Sequence, residues 1–366
     1  MVRWCRADAG SSMPPSTVLV TGASRFVGGQ LAARLAVDST IDRVLAVDTV
    51  PPRQELLRRM GRAEFVRADL RNPLIAKLIS TAKVDTVVHT SMTANPSSLE
   101  GTGRNGPSRN GPGTMKEMNV IGTMQLLAAC QKSTTVTRLV VKSTGAVYGV
   151  SALDQAVFTE RDEPKGIPAS GYAKNAVEIE GYIRGFARRR EDVDVTVLRF
   201  TNIVGPRIDT ALSRYLSLPV VPTVLGYDPR VQLLHEEDAL AVLERATRER
   251  LPGVFNVGGE GVLLLSQAIR RMGRIPAPMP GLAVAAVGLL RSAQLGDYSP
   301  EHIRFLNVGR VLDTTRLRTE FGFVPRWTTA QAFDDYVRGR ALRPTIDPKW
   351  IATAQRCLLG LASRFR

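Results

Sequence analysis

A short strand, turn and helix near the amino terminus constrain this chain more than any other stretch. Residues 17–20 form an apolar, β-branched run that is typical of a buried strand, and residues 21–24 have turn composition. From Phe26 onward the apolar residues recur at helical spacing. A tight turn between a buried strand and a helix points free N–H groups at the helix start, where they attract phosphate. The stretch therefore predicts a phosphate-binding turn.

A second apolar run supports this interpretation because it ends in an acid. Residues 44–47 are apolar, and Asp48 follows them about twenty residues after Gly28. An acidic side chain at this distance holds the adenosine ribose hydroxyl in dinucleotide-binding units. The sequence thus predicts such a unit, with NAD favoured over NADP because of Asp48. The alternative is that the turn is only an element of the fold.

The glycine pattern of the turn departs from the usual fingerprint at one position. Arg25 stands between Gly22 and Gly28, where the fingerprint has its middle glycine. That glycine lets the backbone approach the pyrophosphate, so a side chain there crowds the ligand. Either the loop moves outward and the guanidinium binds the phosphates, or the affinity for the cofactor is reduced. The cofactor-binding candidates in this turn are Gly22, Ser24, Arg25, Phe26, Val27 and Gly28.

Composition limits the class of protein. The 366 residues fit one large α/β domain with a smaller appendage, and 44% of them are hydrophobic, enough for an ordinary soluble core. The formal net charge is +15, but the arginines are scattered without interleaved aromatic residues, so we expect no nucleic-acid partner. The three cysteines are far apart and the three histidines lack metal-ligand spacing, which predicts a cytoplasmic location and no metal site.

The order of the elements predicts a domain plan. Strands alternate with helices, which predicts an α/β fold with a doubly wound parallel sheet (a Rossmann fold) over residues 17–206, with later strands near 232–258 returning to it. Residues 63–70 are predicted as its third strand, and residues 207–340 as mainly a smaller substrate domain. Residues 1–16 are typical of a disordered leader.

Two further segments have a distinctive composition. Residues 94–114 are rich in Gly, Asn, Pro and Ser and form either a lid or a disordered loop. Residues 341–366 predict a basic amphipathic helix. This helix packs on the chain's own core or on a partner chain, as in a homodimer, or it lies peripherally on a membrane surface. No apolar run reaches the length that spans a bilayer.

A series of short motifs follows the glycine turn in a fixed order. The motifs are Asp69-Leu70, His89-Thr90-Ser91, Asn119 to Thr123, Ser143-Thr144, Tyr148-Gly149, Tyr172, Leu198-Arg199, Asn202, Gly205-Pro206, His235 to Asp238, Asn256 to Gly259 and Asp313 to Thr315. In this order they resemble the extended short-chain dehydrogenases/reductases, the NAD-dependent epimerase/dehydratase family that includes UDP-glucose 4-epimerase. The resemblance covers the chain from about Val18 to Arg338.

The resemblance implies roles for particular residues. It implies that Asp48 and Asp69 hold the adenosine, and that Leu70, Thr90 and Asn119 line the same cofactor site. It also implies that Thr144 and Tyr172 bind the reacting hydroxyl and that Asn202 contacts the substrate. Two polar residues are instead expected to be structural. His89, between apolar neighbours at a strand end, is expected to form hydrogen bonds rather than to act as a catalyst, and Asp238 is expected to cap the helix that follows it.

The family's acid/base tyrosine lacks its usual partner here. A phenol with a pKa near 10 needs a nearby cation to act as a base at neutral pH. The family supplies a lysine four residues after the tyrosine, but the residue at that distance from Tyr172 is Ala176. Lys174 lies on another side of the helix. Lys142 shares a strand face with Thr144 and is our candidate for the missing catalytic cation, unless it reaches to solvent.

A third departure affects the substrate side. Family members that bind nucleotide sugars carry an arginine four residues before the histidine of the His235 motif, whereas this chain has Val231 there and Arg230 one position earlier. A slip of one residue turns a side chain to the opposite face of a strand. The sequence therefore predicts an NAD-dependent oxidoreductase or epimerase acting on a small nucleotide-sugar-like substrate, with reduced activity. The alternative is a catalytically inactive dinucleotide-binding scaffold or regulatory protein of the same fold.

Overall fold

A computed structural model describes residues 15–92, 116–149, 155–163, 171–280 and 309–345. The predicted loop at 94–114 and nearly all of the predicted leader lie outside these ranges. The predicted C-terminal helix is outside them from residue 346 onward. Everything below refers to the described residues.

Seven parallel strands form one sheet. In chain order they are β1 Thr17–Thr21, β2 Arg43–Asp48, β3 Glu64–Arg67, β4 Thr86–His89, β5 Arg138–Thr144, β7 Asp194–Phe200 and β12 Gly253–Val257. The spatial order is β12-β7-β5-β4-β1-β2-β3, with the order reversing at β1. The predicted doubly wound parallel sheet is thus confirmed. Ligands bind outside the carboxyl ends of the strands at such a reversal.

Ten α-helices connect or cover the strands in the described ranges. They are α1 Phe26–Val37, α2 Gln54–Arg59, α3 Leu74–Thr81, α4 Gly122–Lys132, α5 Gly171–Arg189, α6 Ala211–Leu216, α7 Glu236–Arg248, α8 Leu265–Arg271, α9 Thr315–Thr319 and α10 Thr329–Gly339. A π-helical turn, Glu117–Ile121, leads into α4, and a 3-10 turn, Gly145–Tyr148, follows β5.

Alternating side chains of the sheet supply two separate cores. Leu19 faces a core closed by α3, α4 and α5, while Val18 and Val20 face a second core closed by α1, α7 and α9. Because both faces are covered, consecutive residues of a central strand, such as Val18 to Val20, are apolar rather than alternating with polar ones. This double coverage holds the strand ends, where the candidate residues lie, at fixed positions.

A third core belongs to a smaller unit. It is built from apolar side chains of α6, α8 and α10 together with short strands. The strands that contribute to it are β8 Asn202–Val204, β9 Val220–Val224, β10 Arg230–Val231, β11 Leu233–His235 and β13 Leu263–Leu264. Three further short strands are β6 Val157–Phe158, β14 Ile275–Met279 and β15 Gly309–Leu312, and Phe158 and Leu312 pack in the first core. Within the described ranges, no helix is long and apolar enough to cross a membrane.

Candidate functional site

The glycine turn is tightly packed between β1 and β4. Gly22 has a φ of +74°, and its N–H donates to Val47 O at 2.9 Å. A Cβ on Gly28 would meet the Gly22 carbonyl and lie 2.7 Å from Thr90 Oγ1, so a side chain does not fit. No side chain caps the start of α1, and its first N–H groups are therefore available to an anion.

Asp48 closes the other side of the turn. Its carboxylate is buried at the end of β2, where Oδ2 accepts a hydrogen bond from Ser24 N at 3.0 Å and Oδ1 accepts one from Thr49 N at 2.8 Å. The hydroxyl of Ser24 donates to Val50 O. The acid and the glycine turn are therefore adjacent, as the sequence predicted for a dinucleotide-binding unit.

Arg25 points across the strand ends rather than out to solvent. Its Nη1 donates to Ser91 O at 2.7 Å, just past the end of β4. Its Nε is buried, and no described residue accepts a hydrogen bond from it. Burial lowers the pKa of the guanidinium, while the charge of Asp48, and that of a Tyr172 phenolate, act in the opposite direction.

His89 has the structural role that the sequence predicted. Its ring bonds Thr21 Oγ1 through Nδ1 and Thr123 Oγ1 through Nε2, each at 2.9 Å. Burial, with the nearby Lys142 and Arg25 charges, lowers the pKa of His89 to about 4, so the ring is neutral at pH 7. Thr90 ties the same strands together because its Oγ1 donates to Thr21 O at 2.6 Å.

The remaining cofactor candidates lie around the same end of the sheet. Asp69 follows β3 and pairs with Arg71 at 2.6 Å, which lowers the pKa of its carboxyl chiefly through that hydrogen bond. Leu70 packs in the first core, and the buried Asn119 stands in the π-helical turn, where its carbonyl accepts from Thr123 Oγ1.

The reacting pair predicted by the resemblance comes together. Thr144 ends β5 and Tyr172 lies in the first turn of α5, and they share a side-chain hydrogen bond. Burial raises the pKa of Tyr172 to about 12, while the Thr144 hydrogen bond and the Arg25 charge act to lower it. The Tyr172 phenol is therefore protonated at neutral pH.

Lys142 lies two residues before Thr144 on β5 and makes no hydrogen bond with Tyr172 in the described structure. Its Nζ is 6.0 Å from the centre of the Phe200 ring. Burial and, to a smaller extent, the charge of Arg25 lower the pKa of the ammonium to about 8. The assignment of Lys142 as the cation that serves Tyr172 stays a prediction.

A buried polar network connects the elements that carry Thr144 and Tyr172. Glu180 of α5 is paired with Arg199 of β7 at 2.6 Å and accepts from Ser143 Oγ at 2.5 Å. Arg199 Nη1 donates to Tyr148 OH at 2.8 Å, and that hydroxyl donates to Asn256 Oδ1 at 2.7 Å. These motif residues, although far apart in the sequence, hold α5 against β5, β7 and β12.

The substrate-side departure has a visible consequence. Val231 is buried in the third core, while Arg230 is exposed on the opposite side of β10. Asn202, the predicted substrate contact, begins β8 and is partly exposed. The predicted change of side-chain face at Arg230 and Val231 is therefore confirmed.

The prediction that Asp238 caps its helix is wrong. His235 takes that position, because its Nδ1 accepts from Glu237 N. Asp238 instead accepts hydrogen bonds from Arg326 N and Trp327 N, each at 3.0 Å. Its carboxylate joins α7 to a distant loop rather than to its own helix.

The sequence missed the relation between Arg25 and Tyr172. It pointed to Lys142 because strand alternation is easy to follow, whereas the direction of a turn side chain is not. The available signal was that, relative to the family pattern, a cation is gained at Arg25 and lost at Ala176.

Within the described ranges, no group of three or more His, Cys, Asp or Glu side chains could hold a metal ion.

Comparison with known proteins agrees with this geometry. The sequence profile of the NAD dependent epimerase/dehydratase family matches residues 18–258. An uncharacterized protein of Mycobacterium tuberculosis is 51% identical over 352 residues, which cover 96% of this chain and 91% of that protein. A probable UDP-arabinose 4-epimerase of Oryza sativa is 30% identical over 199 residues, 51% of this chain and 45% of that one.

Solved structures share the fold at low sequence identity. A UDP-glucose-4-epimerase of Stenotrophomonas maltophila, with bound NAD and formylated UDP-arabinopyranose, has a TM-score of 0.69 and 20% identity, and the match covers 93% of this chain and 99% of that one. UDP-glucose 4-epimerase of Thermotoga maritima has a TM-score of 0.66 and 20% identity, covering 88% and 98%. On the profile match and the close relative, this chain belongs to the NAD-dependent epimerase/dehydratase family.

Proposed function

We propose that this protein is an NAD-dependent oxidoreductase or epimerase that acts on a hydroxyl of a nucleotide-sugar-like substrate. The observation that carries the proposal is that two groups of residues lie together at the carboxyl ends of the sheet strands. The glycine turn and Asp48 stand at the ends of β1 and β2, and the hydrogen-bonded Thr144 and Tyr172 stand beside the end of β5.

The residues of the turn fit the phosphates of a dinucleotide. The start of α1 lacks a side-chain cap, and Arg25 Nε is a buried donor without a partner among the described residues. Buried donors are normally satisfied, and a phosphate oxygen is a strong acceptor for a guanidinium. Asp48 would hold the adenosine ribose, and the carboxylate would repel the extra phosphate of NADP.

The chain's own side chains would supply the acid/base work. NAD, when bound, supplies a hydride acceptor. Tyr172 would take the proton of the substrate hydroxyl, and Thr144 would orient that hydroxyl through a hydrogen bond. Because the pKa of Tyr172 is raised to about 12, proton removal at pH 7 needs positive charge beside the phenol, so we expect a slow reaction.

The substrate side supports a ligand of the nucleotide-sugar type in a modified form. We expect the partly exposed Asn202 to contact it, while the buried Val231 removes one cation that would meet a diphosphate. The raised pKa of Tyr172 together with the loss of that cation also favours a second candidate, a dinucleotide-binding scaffold without turnover. The two candidates share the cofactor and differ in chemistry.

Turnover by wild type and Tyr172→Phe distinguishes the candidates. We expect the wild-type protein with NAD to convert at least one UDP-hexose or UDP-pentose, followed by chromatography of the nucleotide sugars. Tyr172→Phe should lower the rate by roughly 10²–10⁴-fold and leave the Kd for NAD unchanged. Equal rates in both proteins would overturn the assignment of Tyr172. NAD binding without conversion of any nucleotide sugar would support the scaffold.

A further inference from the structure

This chain departs from its family at two positions that change positive charge, losing a cation at one and gaining a cation at the other. A lysine is missing at Ala176, four residues after Tyr172, and an arginine is present at position 25 of the glycine turn. Ala176 is fully buried in the first core, so apolar packing fills the place of the missing lysine. A phenol that must lose a proton at neutral pH still needs a cation within about 4–6 Å.

The backbone brings Arg25 to the strand ends next to Tyr172. Arg25 precedes α1 with an extended backbone (φ −96°, ψ 161°), and its Nη1 is anchored on Ser91 O at 2.7 Å. Ser91 lies two residues past β4, and β4 is paired with β5, whose end carries Thr144. Neighbouring strands are about 4.8 Å apart. The anchor therefore holds the guanidinium one strand from the residue that hydrogen-bonds Tyr172.

Three titratable groups besides Tyr172 face the guanidinium. Asp48 faces it from β2, the neutral His89 from β4, and Lys142 from β5. Asp48 is already bonded to Ser24 N and Thr49 N. The Arg25 Nε is buried and unsatisfied among the described residues.

We propose that Arg25 is the positioning cation for Tyr172, so that the charge of the lost helix lysine is supplied here from the glycine turn. The proposal rests on the proposed function and deepens it. The charge of Arg25 acts to lower the pKa of Tyr172 and that of Lys142 as well. Arg25 would thus serve the phosphates of the dinucleotide and the phenol from one place.

A fluorinated tyrosine at position 172 tests the proposal without cofactor or turnover. Its phenol titrates closer to neutrality than tyrosine and reports its pKa by fluorine NMR in the full-length protein. We expect Arg25→Met to raise that pKa by about 1 or more, the usual effect of an opposite charge nearby. Arg25→Lys should recover most of the difference. The exposed Arg58→Met is the matched control and should change nothing.

The outcomes separate this inference from the proposed function. An unchanged pKa in a folded Arg25→Met protein overturns the role of Arg25, even where NAD binding and turnover persist. If Arg25→Met is unfolded by circular dichroism, Arg25→Lys and Arg25→Gln decide by the same readout. A raised pKa in Arg25→Met, in a protein that never binds NAD, keeps the inference about the charge and overturns the enzyme.

Discussion

Lys142 is a half-buried lysine whose protonation is set by its surroundings. Burial and the Arg25 charge lower its pKa to about 8. We therefore expect the methylated Lys142 resonance in ¹³C NMR to titrate near pH 8, and to titrate at higher pH in Arg25→Met. Lys142→Arg identifies the resonance by removing it. A titration near pH 10.5 in wild type would contradict the packing described here.

The same lysine gives stability a defined pH dependence. Between about pH 8 and its ordinary value of 10.5, the unfolded chain holds a proton at Lys142 that the folded chain has lost. Stability rises with pH wherever the unfolded state binds more protons. The free energy of unfolding should thus rise more steeply over this window in wild type than in Lys142→Met, measured by urea unfolding. Parallel curves would contradict the prediction.

His89 should produce a slope on the acidic side. Its pKa is about 4 in the folded protein and 6.5 ordinarily, because it is buried and bonded to two threonines. Below pH 6.5 the unfolded chain gains a proton that the folded chain does not accept until about pH 4. The free energy of unfolding should therefore fall as the pH is lowered from about 6.5 to about 4. In urea unfolding, the free energy of His89→Gln should depend less on pH over this range than that of wild type. The same pH dependence in both proteins would contradict the prediction.

At the scale of elements, the β1–α1 junction depends on close contact at Gly28. A Cβ there would press on the Gly22 carbonyl and on Thr90 Oγ1. We expect Gly28→Ala to lower the free energy of unfolding by about 1–3 kcal/mol, as overpacking does, and to weaken NAD binding. Gly181→Ala is the control, since its Cβ would find its nearest atom at 3.9 Å. Equal stability of both variants would contradict the prediction.

The Glu180–Arg199 pair joins α5 to the sheet. Both side chains are buried, and breaking such a pair leaves an uncompensated charge. Arg199→Met should therefore cost about 3–5 kcal/mol in urea unfolding. Arg43→Met removes an exposed pair with Glu64 and should cost about 0–1 kcal/mol. A cost for Arg199→Met as small as that of Arg43→Met would show that the network is not supporting α5.

Some elements were predictable from local pattern and others were not. The strand before Gly22 and the strand before Asp48 are apolar runs, so they could be predicted without long-range information. The third strand is shorter than predicted, Glu64–Arg67 rather than 63–70, because the chain turns at Asp69, which accepts hydrogen bonds from Arg71 N and Asn72 N. Asp238 bonds residues that follow it by almost ninety positions, and no local pattern reveals such a partner.

At the scale of the whole molecule, the site unites residues from several crossovers. The sequence predicted Thr144 with Tyr172, because the family pattern fixes both positions. It did not predict that Arg25 reaches Ser91, because the rotamer of a turn residue depends on which strand end lies opposite. The fold was therefore predictable from periodicity, while the direction of one charged side chain required the assembled sheet.

Calorimetric titration of the purified protein with NAD tests the central claim, that the turn around Arg25 accepts a dinucleotide. We predict saturable binding at one site, at least about tenfold tighter than for NADP, since Asp48 disfavours an added phosphate. Asp48→Asn should reduce the difference between the Kd values for NAD and NADP. Absence of binding by calorimetry, with a melting temperature that NAD does not raise, would contradict the account.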